Sequence, residues 1–411
     1  MALYKNTMKS FSPSNIRERF PIFSQHPGLV YLDNAATTQR VDTMIEAMDT
    51  FYHKQNATVH RGVYELSATA SQSFEACRTK VADFIGAPSP GNIAFTKGTT
   101  ESINIVASSF LRRKLRPGDN VVVSIMEHHA NFIPWQMLCR EVGAELRIIP
   151  ISGHGDLDLG ALEPLLDSRT RLVAITHISN LLGTFNPIEE VIALAHAKGV
   201  PVLIDAAQSG ALYPMDVTQM DCDFLAFSGH KAFGPFGIGV LYTRQELKAD
   251  IHPYTYGGGI VQNVMLDVTD FKPYPYNLDA GTPNIPGVIG LSAAIDFTRD
   301  LDRKTCVEHV QDLSHLCRNE LKRINGVKVL GEPLKTGGIV SFYIDDIHPH
   351  DAASFLDEDH IAVRAGVHCA QPLLDHLDVA ATVRASFSIY NTKEEVEHLV
   401  HAVKELIKFW R

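Results

Sequence analysis

The chain is poor in the features that mark several protein classes. Its 6 cysteines, Cys77, Cys139, Cys222, Cys306, Cys317 and Cys369, form no C-x-x-C pair and show no regular spacing. That argues against a disulfide framework and a zinc site, and it suits a reduced, cytoplasmic setting. Positive charge is outnumbered, with Lys+Arg 37 against Asp+Glu 47 and a formal net charge of -10. Binders of nucleic acid or anionic membranes need the opposite balance, so neither partner is expected. No apolar run approaches a membrane span. Lys5 and Lys9 are followed by no apolar stretch and no small-residue cleavage site, so no secretory leader is expected. Internal repeats and low-complexity tracts are also missing.

What is present points to a globular enzyme. A length of 411 residues suits two or three domains, and 45% hydrophobic with 20% charged residues is ordinary composition. Short β-branched runs alternate with helical periods from about Leu29 onward. Such runs are Asn120–Ile125, Leu172–Thr176, Pro201–Asp205 and Phe224–Ser228. Continuous apolar strands separated by helices predict an α/β domain with a mostly parallel sheet and helices on both faces. Polar clusters follow those four strands: Glu127–His129, His177–Asn180, Asp205–Gln208 and Ser228–Lys231. Ligands of open α/β sheets sit at the carboxyl ends of the strands, so the four clusters predict one shared site.

Past Pro286 helical periods dominate, with a short strand at Gly338–Phe342. Thr392 and Glu395 predict a capping box for a last helix whose apolar face carries Val396, Leu399, Val400, Val403, Leu406 and Ile407. The expected organisation is an N-terminal segment (1–28) packing with the small domain, a large α/β domain (29–285) and a small α+β domain (286–411). A short helix over Ser12–Pro21, stopped by Pro21, opens the chain.

Lys231 closes a strand in the segment Phe227–Gly239 and enters a glycine-rich turn. A lysine there can condense with an aldehyde, and Ser228 and His230 can donate to a phosphate, although a surface lysine beside a turn fits equally well. Asp205 closes another strand, and a buried carboxylate wants a cationic partner such as a pyridinium nitrogen; a helix N-cap is its simpler alternative. Thr99 and Thr100 precede a helix, where free N–H groups favour phosphate or a plain cap. His128 follows a third strand and can stack on a flat ring or move a proton. The run Glu127–His129 lacks the H-E-x-x-H spacing, which removes a zinc protease. His348, His350 and Asp351 fit a capped helix start better than a metal site, so no metal is expected.

Together these segments carry a resemblance. Tyr31–Thr37, Val59–Gly62, Glu127–Asn131, Asp205–Gln208, Ser228–Lys231 and Ala280–Asn284 resemble, in order and spacing, the class V aminotransferases of pyridoxal 5'-phosphate (PLP) fold type I. More narrowly they resemble the group II cysteine desulfurases, the SufS and CsdA type, over about Phe20 to Tyr390. The resemblance implies a seven-stranded sheet in the large domain. It implies PLP held on Lys231 as a Schiff base, Asp205 on the pyridinium, Gln208 on the ring oxygen and His128 over the ring. It assigns Thr100, Ser228 and His230 to the phosphate, with Thr99 a further cofactor-binding candidate at the same turn, and Asn180 to cofactor or substrate. His60, Arg61 and Thr282 would reach a neighbouring site across a homodimer interface.

Cys369 follows Arg364, Gly366 and His368 in a short loop. A cationic, partly exposed setting favours the thiolate, and both His368 and Arg364 are candidates to supply charge. In the family, the aligned cysteine accepts sulfur as a persulfide; Val367 departs from the second His that relatives often carry. Arg384, assisted by Arg364, would hold the substrate carboxylate through a two-bond fork. The implied activity is desulfuration of L-cysteine with transfer to a sulfur-acceptor protein, for iron–sulfur cluster assembly. A selenocysteine lyase acting on L-selenocysteine shares the scaffold. An aminotransferase would leave Cys369 idle, and a catalytically silent partner protein would leave Lys231, Asp205, Cys369 and Arg384 without purpose.

Overall fold

The computed structural model describes residues 11–410; Lys5 and Lys9, on which the leader argument rests, lie outside the described residues. The centre is a seven-stranded sheet. From edge to edge its strands are Ile93–Thr96, Gly239–Thr243, Phe224–Ser228, Val202–Asp205, Thr170–Thr176, Asn120–Ser124 and Glu145–Ile149. Only Gly239–Thr243 runs antiparallel to its neighbours. The mostly parallel α/β sheet predicted from the sequence is therefore present.

Side-chain alternation explains the continuous apolar runs. Val122, Val173 and Ile175 face one core with Phe74, Val81 and Leu291, while Val121, Val123, Leu172 and Ala174 face the other with Ile103 and Trp135. Both faces are covered, so both sets must be apolar. The backbone is drawn tight beside the Thr99 turn: a Cβ on Gly239 would stand 2.4 Å from Gly98 Cα. Only glycine allows that approach.

A second, four-stranded antiparallel sheet has the order Val327–Val329, Ile339–Ile344, Thr382–Ser386 and Arg364–Gly366. The last helix, Lys393–Trp410, opens on the reciprocal cap: Glu395 N–H donates to Thr392 Oγ1 at 3.4 Å, and Thr392 N–H to Glu395 Oε2 at 3.1 Å. Glu395 also accepts from Arg17 at 2.8 Å, and Phe20 and Phe23 pack on Tyr390. The N-terminal helix differs from its expected span. It covers Pro13–Arg17, and Pro21 instead precedes a second turn, Ile22–Gln25, because proline's fixed φ and missing N–H suit a helix start. The helix Pro349–Glu358 is capped by His348, whose Nδ1 accepts from His350 N–H, rather than by Asp351.

Candidate active site

A cavity of about 400 Å³ opens at the carboxyl ends of the parallel strands. The structure brings Thr99, Thr100, His128, Asn180, Asp205, Gln208, Ser228, His230, Lys231, Arg364, Cys369 and Arg384 to its wall. Five strand ends and the small sheet contribute, which is why no single stretch of sequence contains the site. His60, Arg61 and Thr282 are not among them. They line a separate cavity of about 520 Å³ with Glu75 and Asp279.

On the large-sheet side the groups are deep and preset. Asp205 is buried, accepts one hydrogen bond from Ala207 N–H at 2.9 Å, and has no ion pair among the described residues. Burial pushes its carboxyl up, opposed by that hydrogen bond and by the charge of Lys231. The Lys231 amine is pushed down to about 8, first by burial, with Asp205 opposing and Arg384 and Arg364 adding. His128 Nδ1 accepts from Ala130 N–H at 3.0 Å, which leaves the ring hydrogen on Nε2. Burial and the charge of Lys231 push the imidazole down to about 3, so it is neutral at physiological pH.

Around the strand end of Ser228, its Oγ accepts from Thr99 N–H at 2.8 Å and shares a 2.8 Å bond with Thr99 Oγ1. The His230 carbonyl is gripped by Thr37, Thr38 and Arg40, and its ring stacks on Phe236 at 5.5 Å. Gln208 donates one amide hydrogen to Ala35 O at 3.0 Å, leaving its second free.

The small-sheet side carries charge. Arg384 is buried, with its Nη1 on Asn180 O at 2.9 Å and its Nη2 on Asp33 Oδ1 at 3.3 Å. Its Nε is buried without a partner, as is Asn180 Oδ1. Burial lowers the Arg384 guanidinium to about 10, with Asp33 opposing. Arg364 grips Asp33 through Nε and Nη2, the latter at 2.9 Å.

Cys369 is the exposed cysteine; the other five are buried. Its loop is held from three sides. His129 N–H donates to Cys369 O at 2.8 Å, Gln371 N–H donates to His129 Nε2 at 3.2 Å, and Asn180 Nδ2 donates to His368 O at 2.6 Å. His368 and Cys369 both have left-handed backbones, φ 52 and 53.

One expectation fails here. His368 does not supply positive charge to Cys369. Its ring is buried against Thr382 and is pushed down to about 3, first by burial and then by Arg384. Neutrality is the cheaper state for an imidazole removed from water beside guanidiniums. The cations near Cys369 are Arg364, Arg384 and Lys231. Two functional candidates escaped the sequence reading. Asp33 stands inside the recognised Tyr31–Thr37 segment, yet its arginine partners are 331 and 351 residues away. His129 was overshadowed by its neighbour.

The donor set fits PLP. A buried strand-end carboxylate without an ion pair suits a protonated ring nitrogen, a neutral imidazole suits a ring face, and hydroxyls at the Thr99 turn suit a phosphate. Among the described residues, no group of three His, Cys, Asp or Glu side chains is arranged to hold a metal ion.

Comparison with known proteins agrees. The class-V aminotransferase family matches residues 30–399. A probable cysteine desulfurase of Halalkalibacterium halodurans is 44% identical over 398 residues, 96% of this chain and 98% of that protein. The crystal structure of the cysteine desulfurase CsdA (S-sulfonic acid) from Escherichia coli superposes with a TM-score of 0.91 at 39% identity, covering 98% of this chain and 100% of that one. The apo cysteine desulfurase of Thermococcus onnurineus NA1 gives 0.93 at 40% identity, with the same coverage. The chain belongs to the class-V aminotransferase family, among the cysteine desulfurases.

Proposed function

We propose that this chain is a PLP-dependent cysteine desulfurase that moves sulfur from L-cysteine to the Cys369 thiol and releases L-alanine. The observation that carries it is the meeting of Lys231, Asp205, His128 and Arg384 with the exposed cysteine in one cavity. Bound PLP supplies an electron sink for the carbanion formed when the substrate loses its α-proton.

The chain's own groups divide the remaining work. Lys231 anchors the cofactor, and its lowered amine can take up a proton near neutral pH. Asp205 would keep the ring nitrogen protonated, while Thr99, Thr100, Ser228 and His230 would hold the phosphate and Gln208 the ring oxygen. Arg384 offers the substrate carboxylate its unpartnered Nε, and Asn180 offers its free Oδ1 to the substrate amine. His128 is neutral, so its Nε2–H can hydrogen-bond the substrate thiol and assist proton movement to or from it. Cys369 Sγ attacks that sulfur; the S–S bond forms as the substrate Cβ–S bond breaks. The exchange balances as thiol plus L-cysteine giving persulfide plus L-alanine.

The persulfide then passes to a sulfur-acceptor protein of iron–sulfur cluster assembly. The exposure of Cys369 at the mouth suits a macromolecular acceptor. A homodimer gives the second cavity a purpose, since His60, Arg61 and Thr282 need a neighbouring site to serve. Six free thiols suit the cytoplasm. Among the described residues, no helix is long and apolar enough to cross a membrane.

Cys369→Ala tests the reading. The variant is expected to keep the cofactor absorbance and its response to L-cysteine while losing persulfide formation. Sulfur release from L-cysteine at the full rate would overturn it. L-selenocysteine turnover that is much faster and independent of Cys369 would favour a lyase.

A further inference from the structure

Arg364 and Arg384 face each other directly. They are register partners on the antiparallel strands Arg364–Gly366 and Thr382–Ser386. Like charges opposite one another in a strand pair repel, since their Cβ atoms stand only about 5 Å apart. The structure answers with a third segment. Asp33 runs beside Ser386 in a parallel bridge and places its carboxylate between the two guanidiniums. The two bonds are unequal. Arg364 spends its Nε and Nη2 fork on Asp33, at 3.1 and 2.9 Å, whereas Arg384 lends only Nη2 at 3.3 Å and keeps a buried, unpartnered Nε.

We propose that Asp33 is a positioning residue that restricts this site to one ligand carboxylate: it permanently fills the Arg364 fork and leaves Arg384 alone for the substrate. This rests on the reading of Arg384 as the substrate-carboxylate group and deepens it. Two cations and one resident anion leave a single positive charge, which matches the one α-carboxylate of an amino acid such as cysteine. Asp33 also holds Arg364, whose side chain is 49% exposed, in a fixed direction. Without Asp33, Arg364 presents a second vacant fork a few ångströms from the first. The site would then accept compact dicarboxylates.

The test is calorimetric titration of the holoenzyme with propionate and with succinate, a monoanion and a dianion of related shape. Asp33→Asn keeps size and an acceptor oxygen but removes the charge. The variant is expected to raise the preference for succinate over propionate about tenfold, and Asp33→Glu to return it toward the parent value. An unchanged preference in Asp33→Asn that keeps the cofactor absorbance, with the thermal midpoint shifted or not, would overturn the proposal, because a merely structural residue shifts stability without altering ligand charge preference. Arg384→Lys separates the two levels. A raised KM for L-cysteine there, with an unchanged preference in Asp33→Asn, removes only the role of Asp33. An unchanged KM in Arg384→Lys removes the substrate-carboxylate reading and the proposal together.

Discussion

Lys231 and Cys369 line one cavity but stand on different ground. Lys231 emerges from the Phe224–Ser228 strand, buried along its length and flanked by strands on both sides. Cys369 sits on a loop beyond a strand at the edge of the small sheet, exposed, with two consecutive left-handed residues. The lysine is placed by the core. The cysteine is placed by a few hydrogen bonds from His129 and Asn180. One side of the reaction thus inherits the rigidity of packing, and the other depends on clasps that single substitutions can open.

The largest effect should come from breaking the rigid side. Lys231→Ala should remove the cofactor's normal absorbance and lower kcat/KM for L-cysteine by roughly 10²–10⁴-fold, the range for a lost general base. Absorbance and turnover retained together would contradict its role.

The loop side should fail differently. His129→Ala leaves the cofactor pocket intact and frees the Gln371 N–H, so persulfide formation should slow by up to about 10²-fold at unchanged cofactor absorbance. Equal loss of cofactor binding and sulfur transfer would show that the two sides are not separable.

A pH experiment sharpens the contrast. The Lys231 amine, held down to about 8, reacts with an aldehyde only when neutral. Capture of PLP by the cofactor-free protein should rise about tenfold per unit below pH 8 and level off above it. A plateau delayed to the ordinary lysine range near pH 10 would show that burial does not act on this group.

The smallest effect concerns Glu127, the fully buried carboxyl beneath His128. It accepts from Ser124 Oγ at 2.5 Å, Asn131 Nδ2 at 2.6 Å and Thr176 N–H at 3.0 Å, yet burial pushes it up to about 8. A carboxyl whose folded pKa is raised contributes stability that is full below its unfolded pKa, near 4.5, and lost as pH rises through 8. Glu127→Gln should therefore flatten the decline of the thermal midpoint over that interval. An unchanged slope would place the pH dependence elsewhere.

The sequence made the rigid side legible because its signals are local. Strand periodicity located Phe224–Ser228 to the residue, and polar residues after strand ends marked Lys231, Asp205 and His128. The resemblance supplied the assignment of Arg384 and Cys369. The loop side was read less well because its determinants are long-range. His368, adjacent to Cys369, looked like a cation, but only the fold shows its ring turned onto Thr382 of the four-stranded sheet. Asp33 and His129 act through partners hundreds of residues away in the chain. His60, Arg61 and Thr282 converge on a cavity of their own, apart from the one that holds Lys231.

Asn180 has a consequence for the size of the substrate. Its side-chain amide holds the carbonyl of His368, and its own carbonyl holds Arg384. The same residue therefore links Arg384, proposed to grip the carboxylate, to the loop of Cys369, proposed to receive the sulfur. It works as a ruler. A thiol amino acid one methylene longer than cysteine, anchored at Arg384, would carry its sulfur past the mark.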